Sequence, residues 1–401
     1  MLAEAPMSRS TDRRHTARVA VVADLLEEGW PSMDLMAEML MAELQRSGRA
    51  GVEPVLLRPS FAPRIGPLAL RRNGLPPLTI DRIAHRYWDY PRWLRREAPA
   101  AVYHIVDHSY AHLANDLPAG RVVVTCHDTD AFRTLFLQGQ RESSLPRMFV
   151  RRVLRGLQRA ALVACVSEAT RAELERYGLV SPDRMAVVPN GVHPSCTALP
   201  DAAADAAAAA LAGTTAGPDL LHVGSTIPRK RIDTLLDVLA RVVAEWPDVR
   251  LLRVGGPFTA AQERRIDALG LRRHIRVMPF IDRPVLAALY RRAALVLLPS
   301  EREGFGLPVI ESLACGTPII VSDLPVLREV GGTAAEYCVV GDAAQWGDHV
   351  LALLRERESH QARWAARRDA GIARAALFSW ERCADVMQTI YARVAEAGAR
   401  A

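Results

Sequence analysis

"PSEREGFGLPVIESLACGTPIIVSD", residues 299–323, decides how this chain is read. An apolar strand, "ALVLLP" (294–299), runs into it, and a second, "PIIVSD" (318–323), closes it. Between them a loop with two glycines, Gly304 and Gly306, leads into a helix beginning near Pro308, where proline is tolerated because the first helical N–H has no partner anyway. The glycines permit close backbone approach to a ligand. The helix N-terminus offers free N–H groups and the positive end of a dipole to an anion. Two carboxylates frame the turn, Glu303 in the loop and Glu311 in the first turns of the helix. A carboxylate one turn in can accept hydrogen bonds from a diol. The segment asks for a ligand with both phosphate and hydroxyl-bearing rings.

Alternation of strands and helices extends in both directions. Upstream, "ARVAVVA" (17–23), "VEPVLL" (52–57), "AVYHIV" (101–106), "RVVVTC" (121–126), "ALVACVS" (161–167) and "MAVVP" (185–189) read as strands. Their near-continuous apolar runs predict a parallel sheet covered on both faces. A helix is expected after the first strand, with Ser32 as N-cap and Gly48 just past its end, and another over 167–178 capped by Ser167. "PDAAADAAAAALAGTTAG" (200–217) is low-complexity and reads as an inter-domain linker, helical if ordered because alanine favours helix. The alternation then restarts with "LLHVG" (220–224), "VRLLRVGG" (249–256) and "IRVMPF" (275–280), and with helices over 231–246 and 283–292. A last helix (379–397) carries an apolar stripe at Trp380, Ala384, Met387, Tyr391 and Val394.

The fold class is therefore α/β, with two Rossmann-like βαβ domains. The boundaries expected are 16–195 for the N-terminal domain, 196–217 for the linker and 218–379 for the C-terminal domain. A chain of 401 residues is long enough for two cores. The polar start "MLAEAPMSRSTDRRHT" lacks the apolar region of a signal peptide, and no apolar run approaches a membrane span. A cytoplasmic protein is expected, with peripheral contact at the inner membrane face left open. The six scattered cysteines suggest neither disulfides nor a structural metal.

Net charge is +6, which suits an anionic ligand; no nucleic-acid motif accompanies it, so nucleic acid is not expected as a partner. Of the 51 basic residues only Lys230 is a lysine, in "STIPRKRID" (225–233). A lysine in a strand-to-helix loop of an otherwise arginine-only chain reads as a phosphate contact, against the plainer reading of an accidental surface residue. His127 follows "RVVVTC" at the carboxyl end of a strand, where open α/β sheets place ligands. His104, His108 and His112 have a metal-like spacing, but the segment begins as a strand, so they would not share a face. The arginine-and-aromatic segments 71–99 and 147–161 suit a lipid interface or an anionic acceptor. An ordinary helical hairpin with core aromatics is favoured over that.

Glu303 and Glu311, seven residues apart within "GFGLPVIESLACGTPIIVSD", resemble the E-x7-E signature of the retaining glycosyltransferases of family 4, which have the GT-B fold. "VSEATRAELERYGLV", "MAVVPNGV", "HVGSTIPRKRIDTLLDVL", "RVGGP" and "MPFIDRPVLAALYRRAALVLLPS" are similar to further parts of that family. "FSWERCADVMQTIYARV" is similar to its final helix, which crosses back onto the N-terminal domain. The resemblance implies two domains facing a cleft, a donor held mainly by the C-terminal one, and metal-independent transfer of a hexose from a nucleoside-diphosphate sugar. The acceptor implied is a saccharide or lipid-linked group, as in polysaccharide biosynthesis, and no cofactor is expected beyond the sugar nucleotide as co-substrate.

By the same resemblance Glu311 would bind ribose hydroxyls, Glu303 would contact the donor sugar, and the backbone of Gly304, Phe305, Gly306 and Leu307 would meet sugar and phosphate. Lys230 would bind the diphosphate, His127 would face the moving sugar, and Phe280 would belong to the donor site. Two departures stand out. The family often has a basic residue directly after the glycine of its first C-terminal strand, where Ser225 stands here, leaving Arg229 as candidate for the second charge. The tandem glycine of the N-terminal loop is reduced to Gly29. Two other classes fit less well: a non-catalytic sugar-nucleotide-binding partner protein, and a sugar-nucleotide epimerase of similar fold. A nicotinamide enzyme is disfavoured because no G-x-G-x-x-G follows the first strand.

Overall fold

The computed structural model describes residues 17–46, 51–61, 77–133, 135 and 144–400. Two six-stranded parallel sheets organise them. The first holds β1 (Ala17–Val22), β2 (Val52–Leu57), β3 (Val102–Ile105), β4 (Val122–Cys126), β5 (Leu162–Cys165) and β6 (Met185–Val187) in the order β2-β1-β3-β4-β5-β6. The second holds β7 (Asp219–Val223), β8 (Arg250–Val254), β9 (Ile275–Val277), β10 (Leu295–Leu298), β11 (Ile319–Ser322) and β12 (Glu336–Cys338) in the order β12-β11-β10-β7-β8-β9. Every residue of β3, β4, β5, β10 and β11 is buried, the outcome expected of apolar runs covered by helices on both faces. Edge strand β9 is mostly exposed.

Eleven strands follow the sequence pattern. The twelfth, β12, is three residues long with a glutamate and a tyrosine in it, too short and mixed to announce itself. Ser32 is not a cap: the helix already starts at Pro31, which takes the first turn, and Ser32 sits inside it. Gly48 lies outside the described residues. Ser167 does cap the Glu168–Arg176 helix, its hydroxyl accepting from the Thr170 N–H at 3.0 Å.

The described residues fall into two compact units. Those within 1–125, 142–163 and 384–401 form one, and those within 126–141 and 164–383 the other. In the first, the last helix (Trp380–Arg400) is tied to β3, with Tyr391 Oη 2.7 Å from His104 Nδ1. Tyr90 is fully buried and its hydroxyl lies 2.6 Å from the Ala23 carbonyl oxygen; Tyr87 is buried too, and Arg86 stacks over the Tyr110 ring at 4.2 Å. This segment thus puts Tyr87 and Tyr90 into the core, leaves Arg86 half-buried and Trp88 outside; residues 71–76 lie outside the described set. His104 belongs to β3 while His112 lies in a 3-10 helix, Nε2 at 2.9 Å from the Arg86 carbonyl and its pKa pushed down to about 3 by burial. Among the described residues no group of three such side chains could hold a metal ion, and no helix is long and apolar enough to cross a membrane.

In the second unit the alanine-rich stretch is a helix, Ala202–Ala212, capped by Asp201. Its small side chains Ala204, Ala208 and Ala212, spaced by one turn each, are buried in the same core as Ala287, Ala288 and Leu289 of the Arg283–Arg292 helix. Asp205 pairs with Arg291 at 2.6 Å. Low complexity here encodes a close-packed helix face.

Candidate functional site: the loop after β10

The site lies in the second unit and is built on the carboxyl ends of β7 and β10. After β10 the chain turns through Pro299 and the fully buried Ser300. The turn delivers Glu303, whose side chain is only 8% exposed. Its Oε1 accepts from Lys230 Nζ at 2.6 Å and from Ser300 Oγ at 2.7 Å. Its Oε2 lies 3.5 Å from Arg229 Nη1. Lys230 and Arg229 come from a 3-10 turn, Pro228–Lys230, that follows β7. That turn ends at Arg231, the one non-glycine with positive φ among the described residues (49°). The two loops are also joined by backbone, the Glu301 N–H donating to the Arg229 carbonyl at 2.8 Å.

Arg229 does not stand free as a second phosphate cation. Its Nε meets Asp130 at 3.1 Å and its Nη1 donates to the Arg302 carbonyl at 3.0 Å. Asp130 also takes Arg302, at 3.0 Å. The expectation that Arg229 makes good the charge absent at Ser225 therefore meets a side chain already neutralised by a carboxylate, which the sequence separates from it by almost a hundred residues.

Gly304 is required by its neighbours. A Cβ there would sit 1.6 Å from the carbonyl oxygen of His127, so the loop after β4 and the loop after β10 touch backbone to backbone. The Gly304 carbonyl is fixed by Ser167 Oγ at 2.7 Å and Thr170 Oγ1 at 3.2 Å. His127 is buried beside this contact. Gly306 caps the Leu307–Ala314 helix in the left-handed region (φ 94°), where a Cβ would also strike Leu327 at 2.7 Å. Phe305 is buried and holds the loop against Phe378, ring to ring at 5.8 Å.

Glu311 points into the unit's core side, 7% exposed, and Tyr290 donates a 2.9 Å hydrogen bond to its Oε2. Burial raises its pKa, partly opposed by the tyrosine hydrogen bond and by Arg283. Ser225 is exposed, and Phe280 stands 93% exposed just past β9. Gly29 belongs to the first unit, closing a short 3-10 turn with φ 67°. Of the expected residues, Lys230, Glu303, Gly304 and His127 are brought together, and Glu311 lies on the Leu307–Ala314 helix that the loop opens. Ser300, Asp130, Tyr290 and Arg302 were not read from the sequence. Serine and aspartate beside a loop glutamate carry no pattern of their own, and arginine is too common in this chain to signal.

Two family models match the chain, one described as Glycosyltransferase Family 4 over residues 36–195 and one as Glycosyl transferases group 1 over residues 210–369. Between them they span most of its length, one on each sheet, and the chain belongs to this glycosyltransferase family with its GT-B fold. Similar curated proteins include the D-inositol 3-phosphate glycosyltransferases of Mycobacterium leprae (35% identical over 198 residues, 47% of this chain and 44% of that protein) and Geodermatophilus obscurus (33% over 247 residues, 59% and 53%). The chain thus spans about half the length of the curated relatives it matches. Similar solved structures include sucrose-phosphate synthase from Thermosynechococcus elongatus (TM-score 0.69, 20% identity, 95% of this chain and 100% of that one). Anabaena HepE in complex with UDP and glucose is another (TM-score 0.64, 17% identity, 95% and 99%).

Proposed function

We propose that this protein is a retaining, metal-independent hexosyltransferase, moving a sugar from a nucleoside diphosphate to a saccharide or lipid-linked acceptor. The observation that carries the reading is the Lys230–Glu303–Ser300 cluster on a loop whose glycines open the Leu307–Ala314 helix. A departing diphosphate gains negative charge in the transition state. A lysine ammonium and a helix N-terminus aimed at the same loop stabilise such charge without a metal. Glu303 is already held by two donors on one oxygen. Its role is to orient the donor sugar through the remaining capacity of its carboxylate and not to attack the anomeric carbon. The leaving phosphate itself then takes the acceptor proton on the same face, which gives retention.

Glu311 has one oxygen satisfied by Tyr290, and the other is assigned to the ribose hydroxyls. Phe280, an exposed ring, is assigned to the base, and His127 to the transferred sugar. Ser225 and the backbone from Gly304 to Leu307 complete the donor contacts. The acceptor is sought among hydroxyl-rich compounds, with D-inositol 3-phosphate tested first because relatives are named for it.

The test is a thermal-shift panel of nucleoside diphosphates and their sugars, UDP-glucose and GDP-mannose among them, followed by transfer assays in excess EDTA with the product anomer assigned by NMR. Selective stabilisation by one diphosphate series, and turnover that survives EDTA with retained configuration, is the expected result. Binding without transfer or donor hydrolysis would leave a non-catalytic binding protein instead; loss of turnover restored by magnesium or manganese would refute metal independence.

A further inference from the structure

Arg253, at the carboxyl end of β8, is fully buried, and no carboxylate among the described residues pairs with it. Its Nη1 donates to the Val254 carbonyl, while Nε and Nη2 have no hydrogen-bond partner. Beside it in register on β7 is His222, also fully buried, with neither ring nitrogen partnered. Burial together with the charges of Arg253 and Lys230 holds His222 well below the usual histidine range, so it is neutral and supplies no counter-charge. A buried guanidinium without an anion is among the costliest arrangements a core can hold.

The surroundings say what the charge is for. Gly224, which follows β7, is the hub. Its Cβ position lies 3.3 Å from the His222 ring and 3.8 Å from Lys230 Cδ. The Gly255 Cβ position lies 1.9 Å from the Gly224 carbonyl oxygen and 2.9 Å from Arg253 Nη1. Gly255 and Gly256 are themselves exposed, and nothing lies within 4 Å of the Gly256 Cβ position. The guanidinium therefore sits one layer of glycine backbone beneath the surface, on the same strand ends as Lys230. Open α/β sheets bind ligands at this edge, and a charge in so dry a place acts strongly across a short distance.

We propose that Arg253, supported by His222, is an anion-binding residue for the donor's diphosphate, which supplies the counter-charge that no carboxylate of the described residues provides. This rests on the donor-site reading above and adds a residue to it. It also accounts for a site that has Ser225 at an exposed position next to the hub and Arg229 already neutralised by Asp130.

The experiment uses pyrophosphate as probe, since it needs no knowledge of the base, with the free nucleoside of the preferred donor as control. Arg253→Met is expected to weaken pyrophosphate binding at least tenfold by calorimetry, to leave nucleoside affinity within twofold, and to raise or leave unchanged the melting temperature of the ligand-free protein. Adding Ser225→Arg to that variant restores much of the loss, because it returns a cation to the same strand ends. Unchanged pyrophosphate affinity in Arg253→Met overturns the proposal, as does a parallel loss of nucleoside binding. A methionine variant that does not fold, with Arg253→Gln failing likewise, shows a structural charge and overturns it too. If the unaltered protein binds neither pyrophosphate nor any nucleoside diphosphate, the donor-site reading itself falls.

Discussion

Removing one partner of the Lys230–Glu303 pair is the sharpest probe of how the site is held together. The two side chains are 12% and 8% exposed and 2.6 Å apart. At an effective dielectric near 20, their attraction is on the order of 6 kcal/mol, most of which offsets the cost of taking both ions out of water. Lys230→Met keeps the stem and removes the charge, stranding a buried carboxylate. Breaking a buried pair this way commonly costs 3–5 kcal/mol. Glu303 keeps Ser300 at 2.7 Å and Arg229 at 3.5 Å, so the expected loss here is smaller, about 2–3 kcal/mol. Glu303→Gln alone strands the ammonium, which is nearer water and loses less. The double variant should be more stable than the sum of the singles by at least about 1 kcal/mol, because neither charge is then left alone. Urea unfolding of all four proteins at neutral pH measures this, and the coupling should survive added salt because the pair is shielded from it. A coupling below about 0.5 kcal/mol would refute the claim that this contact organises the loop.

Asp24, just past β1, is 1% exposed with neither oxygen hydrogen-bonded and Arg58 Nη2 4.0 Å away; burial, with Asp107 and Asp34 adding and Arg58 opposing, pushes its pKa up to about 7. A folded pKa above the unfolded one means that the native state binds the extra proton, so stability falls as pH rises from about 4 to about 7. Asp24→Asn should therefore stabilise the protein at pH 8 by an amount on the order of 4 kcal/mol and do little below pH 4; chemical denaturation showing no pH-dependent gain would contradict it. At the candidate site, Glu311→Ala should raise the donor KM with little change in kcat, since the proposed ribose contact would be the same in ground and transition states. Glu303→Ala should mainly lower kcat, and steady-state kinetics giving equal effects in both variants would defeat that division of roles.

The frame of the molecule was legible because its strands are covered on both faces and so read as unbroken apolar runs. "RVVVTC" and "ALVLLP" need no tertiary information to be strands. What failed was local and had a physical cause in each case. β12 is an edge strand of three residues, Glu336–Cys338, paired with β11 alone. Ser32 looks like a cap until Pro31 takes the first turn ahead of it. The alanine run looks featureless in composition, yet three of its side chains at one-turn spacing are what let the helix approach its neighbour closely.

The chemistry was legible to the extent that rarity carries information. One lysine among fifty arginines draws notice, and its Nζ does meet the loop glutamate that the spacing had singled out. The contact also suggests why arginine is absent there. The lysine stem passes over Gly224 to reach Oε1, while Arg229 already occupies the approach to Oε2, so a second planar fork would compete with the first. The same logic explains what the sequence concealed. Arg253 is one arginine of fifty and carries no signal until burial shows it without a partner. Pairing then sorts these cations: Arg229 belongs to Asp130, Lys230 to Glu303, and Arg253, which meets the Val254 carbonyl and the Phe258 ring, to no carboxylate among the described residues. An anion entering here must compete with Glu303 for the lysine or use the one charge still unpaired, and only the second route costs no existing bond.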